Sequence, residues 1–99
     1  MPGIYQDPIE IVWQGIALSV SYCPSWSPSY RKIYGHDMAH IEVRCDDRPL
    51  PITDTGYRSH FIPRPNVEEH GGVEAFVRKW LDEIAEETGW TRQHQLTLF

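Results

Sequence analysis

Apolar and polar positions alternate in the first third of the chain, with Ile9-Glu10-Ile11-Val12-Trp13 and Ile16-Ala17-Leu18-Ser19-Val20-Ser21-Tyr22 separated only by Gln14-Gly15. Two β-rich runs around a two-residue turn of this kind predict a tight hairpin. The alternation sets Ile9, Ile11 and Trp13 on one face together with Ile16, Leu18, Val20 and Tyr22. Met38 to Cys45 repeats the pattern, with Ile41, Val43 and Cys45 facing one way and His40, Glu42 and Arg44 the other. It reads as a third strand with one polar face. Leu50 to Ile62 reads as an interrupted extended segment with a bend at Thr55-Gly56, and Pro49 and Pro51 argue for an edge position.

The period changes near residue 73. Val73, Phe76, Val77, Trp80, Leu81, Ile84 and Ala85 form one apolar stripe at helical spacing, while Glu74, Arg78, Lys79, Asp82, Glu83, Glu86 and Glu87 fill the rest. Gly89 followed by Trp90 reads as a left-handed stop with an apolar return contact. Burying a large apolar side chain contributes roughly 1.5–3 kcal/mol, against ~0.3–0.5 kcal/mol for a surface ion pair, so packing on the sheet is what makes this helix form. Between the elements, Pro24 to Gly35 holds prolines, serines and aromatics and reads as an ordered loop. Pro63-Arg64-Pro65 reads as a turn leading into the segment that ends at Gly71-Gly72. The expected fold is therefore α+β: a mainly antiparallel sheet of about four strands packed against one C-terminal amphipathic helix. One domain over 1–90 and a tail over 91–99 are expected.

With 99 residues the chain has room for one modest core. No apolar run approaches the ~18 residues needed to span a bilayer. Met1 to Asp7 lacks the basic start and apolar stretch of a secretion signal, so the expectation is a cytoplasmic protein with Cys23 and Cys45 reduced. Net charge is −5; Pro28 to Arg64 carries six basic against five acidic residues, and Pro65 to the end three against seven. Without a basic stripe, strong independent binding to DNA phosphates is not expected, and contact with DNA would be arranged by a partner.

After the Gly89 stop, Thr91-Arg92-Gln93-His94 forms a polar spacer leading to Gln95-Leu96-Thr97-Leu98-Phe99. This pentapeptide resembles the peptide by which bacterial replication and repair proteins attach to the DNA sliding clamp. In that peptide the Gln fills a small pocket and the Leu-Phe pair a greasy one. Gln95, Leu96, Leu98 and Phe99 match, and Thr97 stands where Ser or Asp is usual. The resemblance implies a partner, the bacterial sliding clamp, and an affinity near the micromolar range once the cost of ordering a tail offsets the burial of Leu98 and Phe99. The opposing reading folds Leu96, Leu98 and Phe99 back on the domain as an extra strand. A homodimer in which the peptide pairs with a neighbouring subunit is a third.

A catalytic alternative draws on His40, Glu42, Arg58 and His60, with Arg44 beside them. On one shared sheet face they would supply a base, a carboxylate and an anion-binding guanidinium for nucleic-acid binding, phosphodiester or acyl chemistry. No Gly-rich phosphate loop, nucleophile elbow or paired acidic motif accompanies them. His36, His40, Cys45 and His60 are near enough in sequence to raise zinc, but in a strand His40 and Cys45 point to opposite faces and no CxxC is present, so no metal or cofactor is expected. Trp26, Tyr30 and Tyr34 beside Arg31 and Lys32 suit either base stacking or packing on the sheet.

Ala39-His40-Ile41-Glu42, Pro49-Leu50-Pro51-Ile52-Thr53, Thr55-Gly56-Tyr57-Arg58-Ser59-His60-Phe61 and Gly71-Gly72-Val73-Glu74-Ala75-Phe76-Val77 together resemble a group of small bacterial proteins often carried on plasmids and other mobile elements. That resemblance covers most of the chain and implies a setting of mobile DNA, without an activity.

Overall fold

The computed structural model describes residues 4–45, 50–53 and 55–90. The tail expected over 91–99, with its docking peptide, lies outside them. Strands β1 (Ile9–Trp13), β2 (Ile16–Cys23), β3 (Met38–Arg44) and β4 (Tyr57–Pro63) form one antiparallel sheet in the order β1-β2-β3-β4. The fold is α+β as expected, with β1 and β4 at the edges. The hairpin pairs Trp13 with Ile16, and the turn residues Gln14 and Gly15 have φ of 49° and 77°. Positive φ at both central positions gives the turn the twist its strands require.

The buried face of the sheet carries Ile11, Trp13, Ile16, Leu18, Val20, Tyr22, Ala39, Ile41, Val43 and Ile62. Helix α3 (Val73–Thr88) lies against it through Val77, Leu81 and Ala85, which are buried, and through the half-buried Val73, Phe76, Trp80 and Ile84. The helix also grips the β1 edge. Trp13 Nε1 donates to Asp82 Oδ1 at 2.8 Å, and Arg78 Nη1 donates to the Val12 carbonyl at 2.9 Å. At its far end Gly89 has φ of 68°, its N–H and that of Trp90 return to the last carbonyls, and the Trp90 ring sits 5.2 Å from that of Trp13. This is the left-handed stop with an apolar return contact that the sequence signals.

Two further helices replace expected irregular segments. Helix α1 (Pro28–Tyr34) stands within the stretch expected as a loop: Ser27 caps it by accepting from the Tyr30 N–H at 3.2 Å, Pro28 opens it, and Gly35 closes it at φ 79°. Prolines there mark a helix start, where a missing N–H costs nothing. Helix α2 (Arg64–Glu69) takes the place of the turn expected after Pro63 for the same reason, with Pro65 in its first turn. Asp37, at the entry to β3, binds these parts together. Its carboxylate accepts from Ser25 at 2.9 Å and Arg64 at 3.1 Å, with Arg31 3.8 Å away. The Ser25 hydrogen bond, then Arg64 and Arg31, hold the Asp37 carboxyl below the usual carboxylate range.

Candidate functional site

Register decides which side chains share a face, since residues directly opposite in an antiparallel pair project the same way. Across β3 and β4 the pairs are His40 with Phe61, Ile41 with His60, Glu42 with Ser59, Val43 with Arg58, and Arg44 with Tyr57. The cluster of His40, Glu42, Arg58 and His60 considered from the sequence is therefore not one site. His40 and Glu42 lie on the face away from α3, while Arg58 and His60 lie on the face beneath it. The correction comes from parity: in β4 the even-numbered residues pair opposite the core residues of β3. His60 stacks on Phe76 and Trp80, with centroids 6.1 and 4.6 Å apart, and the Arg58 guanidinium lies 5.7 Å over the Trp80 ring. Both serve the helix–sheet contact. Burial first, then the Arg58 charge, pushes the His60 imidazole below the ordinary histidine value.

The places vacated by Arg58 and His60 are taken by Tyr57, Ser59 and Phe61, the odd residues of β4. On the open face His40 is only 5% exposed, although it belongs to the polar side of β3. Tyr5 and Trp26 fold over it, and Phe61 covers it from the neighbouring strand. The His40 ring lies 5.8 Å from Tyr5, 5.0 Å from Trp26 and 4.3 Å from Phe61. Trp26 thus packs on the sheet, whereas Tyr30 and Tyr34 stack on each other along α1 at 4.5 Å. Gln6 N–H donates to the Tyr22 carbonyl at 2.8 Å and Trp26 N–H to the Met38 carbonyl at 2.8 Å, which fixes the two covering segments. Beneath the cover Cys23, the cross-strand neighbour of His40, is fully buried.

Both nitrogens of the buried imidazole have partners. Nδ1 meets the Tyr5 hydroxyl, and Nε2 lies 2.5 Å from Ser59 Oγ. Burial holds His40 below the ordinary histidine value against the opposing pull of Glu42, so the ring is neutral near pH 7. Burial first, then Glu42, raises the Tyr5 phenol, which therefore stays protonated. Next to this array Glu42 accepts from the Tyr57 hydroxyl at 2.8 Å and has Arg44 4.0 Å away, while the Arg44 guanidinium sits 4.6 Å over the Tyr57 ring. The hydrogen bond to Glu42 raises the Tyr57 phenol. Two short polar arrays, Tyr5–His40–Ser59 and Tyr57–Glu42–Arg44, therefore adjoin where Glu42 faces Ser59. Their chemistry comprises a neutral base, a hydroxyl, a carboxylate, a guanidinium and two phenols.

Sequence reasoning singled out His40 and Glu42 and missed Tyr5, Tyr57 and Ser59. Tyr5 precedes the first strand, so nothing local signals its contact. Ser59 carries a signal only once the β3–β4 register is known. The remaining candidates are dispersed: His36 lies within 3.4 Å of the Tyr30 hydroxyl, and the Cys45 thiol donates to the Ala17 carbonyl at 3.5 Å. Among the described residues no group of three or more His, Cys, Asp or Glu side chains is arranged to hold a metal, and no helix is long and apolar enough to cross a membrane. Gln95, Leu96, Leu98 and Phe99 lie outside the described residues.

Neither the curated proteins nor the solved structures include a match to this chain. The family model described as the KlcB third domain matches residues 6–90, a span that contains the sheet, its three helices and every residue of the two polar arrays except Tyr5. The chain belongs to the KlcB third-domain family.

Proposed function

We propose that this domain is a non-enzymatic interaction module tethered to the bacterial DNA sliding clamp through Gln95, Leu96, Leu98 and Phe99, acting in the replication or maintenance of mobile DNA. The observation that carries the reading is where the peptide stands. It follows the α3 stop at Gly89 and falls outside the 6–90 span of the family, separated from Trp90 by four polar residues. Trp90, the last described residue before the peptide, packs on Trp13. Leu96 and the adjacent pair Leu98-Phe99 have the character of an anchor for pockets on a partner, where a few buried side chains supply most of the binding energy.

Titration calorimetry of the full chain against a purified bacterial sliding clamp tests the reading. Binding in the micromolar range is expected, together with its loss in a Leu98→Ala/Phe99→Ala double variant whose melting temperature is unchanged. Absence of binding by the unaltered chain, or equal binding by the double variant, would reject the tether. A fall in melting temperature in the variant would instead support packing of the peptide on its own domain.

A further inference from the structure

The Tyr5–His40–Ser59 array has the arrangement by which a hydroxyl is made nucleophilic: a hydroxyl within hydrogen-bond reach of a neutral imidazole whose other nitrogen is held by a third group. Ser59 is exposed, whereas its imidazole partner is sealed beneath Tyr5, Trp26 and Phe61. Reagents can reach the hydroxyl while the base is shielded from water. When Nδ1–H donates to the Tyr5 oxygen, Nε2 is left to accept the Ser59 proton across 2.5 Å.

We propose that Ser59 is a nucleophile that takes an acyl group from an activated ester, with His40 as its base. The surroundings favour an uncharged electrophile. The Glu42 carboxylate faces Ser59 across the strand pair and would repel a phosphate, whereas Phe61, 49% exposed, offers an apolar surface on the other side of Ser59. In the step, Ser59 Oγ forms a bond to the carbonyl carbon and its proton passes to His40 Nε2. The bond from that carbon to the alcohol oxygen breaks, and the alcohol leaves as its anion or takes the proton back from His40. The product is an ester of Ser59.

The full chain treated with p-nitrophenyl acetate tests the step. Nitrophenolate release and peptide mass mapping should show one acetyl group on Ser59, absent in Ser59→Ala. His40→Gln should slow acetylation of Ser59 about 100-fold or more, the usual weight of a general base. In the unaltered chain the rate should stay level as pH falls through the ordinary histidine range and drop only below it. This measurement stands even if the His40 variant fails to fold. Acetyl groups confined to Lys32, Lys79 or the N-terminus would overturn the assignment. So would a Ser59 rate that His40→Gln leaves unchanged, or one that titrates only above neutral pH.

Discussion

His60 is held between Phe76 and Trp80 as a neutral ring, and His40 is neutral beneath its aromatic cover. Each has a folded pKa below the unfolded value of about 6.5, so each contributes stability that is present above that value. As pH falls below about 6.5 the unfolded chain takes up protons that the folded chain refuses, and the contribution is lost as pH drops toward the folded values. Urea midpoints measured from pH 8 to pH 5 should therefore decline, and His60→Phe, which keeps an aromatic ring against α3, should decline less. Equal declines would mean that the proton is accommodated at His60. Asp37 belongs to the opposite case, a carboxyl held ionised by Ser25 and Arg64. Its contribution is present above about pH 4 and lost in acid. Asp37→Ala should cost about 1–3 kcal/mol at neutral pH, since two hydrogen bonds to a charge disappear, and chemical denaturation checks it.

At the level of elements, the hairpin and α3 were legible because their signals are local and repeated: alternation at period two, an apolar stripe at helical spacing, and a glycine stop. Helices α1 and α2 were not, because a short helix among prolines and aromatics shows the same composition as a loop. Only the Ser27-Pro28 start and the Gly35 end distinguish α1, and their spacing allows barely two turns. Two substitutions test how the visible elements are held. Gly89→Ala should cost about 1–2 kcal/mol, since an L side chain resists φ of 68° at the helix stop. Leu81→Ala should cost about 2–5 kcal/mol, because Leu81 is fully buried between α3 and the sheet. Denaturant unfolding of both variants provides the check. A loss at Gly89 as large as that at Leu81 would show that the Trp90 contact with Trp13 fails along with the stop.

Across the whole molecule, the sheet separates two kinds of work. One face builds the core with α3, and the other carries the two polar arrays, with His40 covered by Tyr5 and Trp26. Alternation along β3 indicated correctly that His40, Glu42 and Arg44 leave the core face. It could not indicate which residues of β4 would join them, because that depends on pairing between residues 13 to 25 positions apart in the chain, and a shift of one position reverses the answer. The candidate site was thus half visible: its β3 residues could be read, and its β4 residues and Tyr5 could not. The burial of His40 was hidden for a related reason, since its cover comes from the chain before β1 and the segment between β2 and α1.

The alternating duties of β4 make the chain unusually sensitive to changes of length. Adding or deleting one codon between Gly56 and Tyr57 would exchange inside for outside along the whole strand, driving Tyr57, Ser59 and Phe61 toward the helix and stranding His60 in solvent. Adding two would restore the phase while sliding every cross-strand neighbour by a step. In an indel scan of this segment, odd changes should abolish folded protein and even ones should leave a folded domain whose Ser59 no longer meets His40.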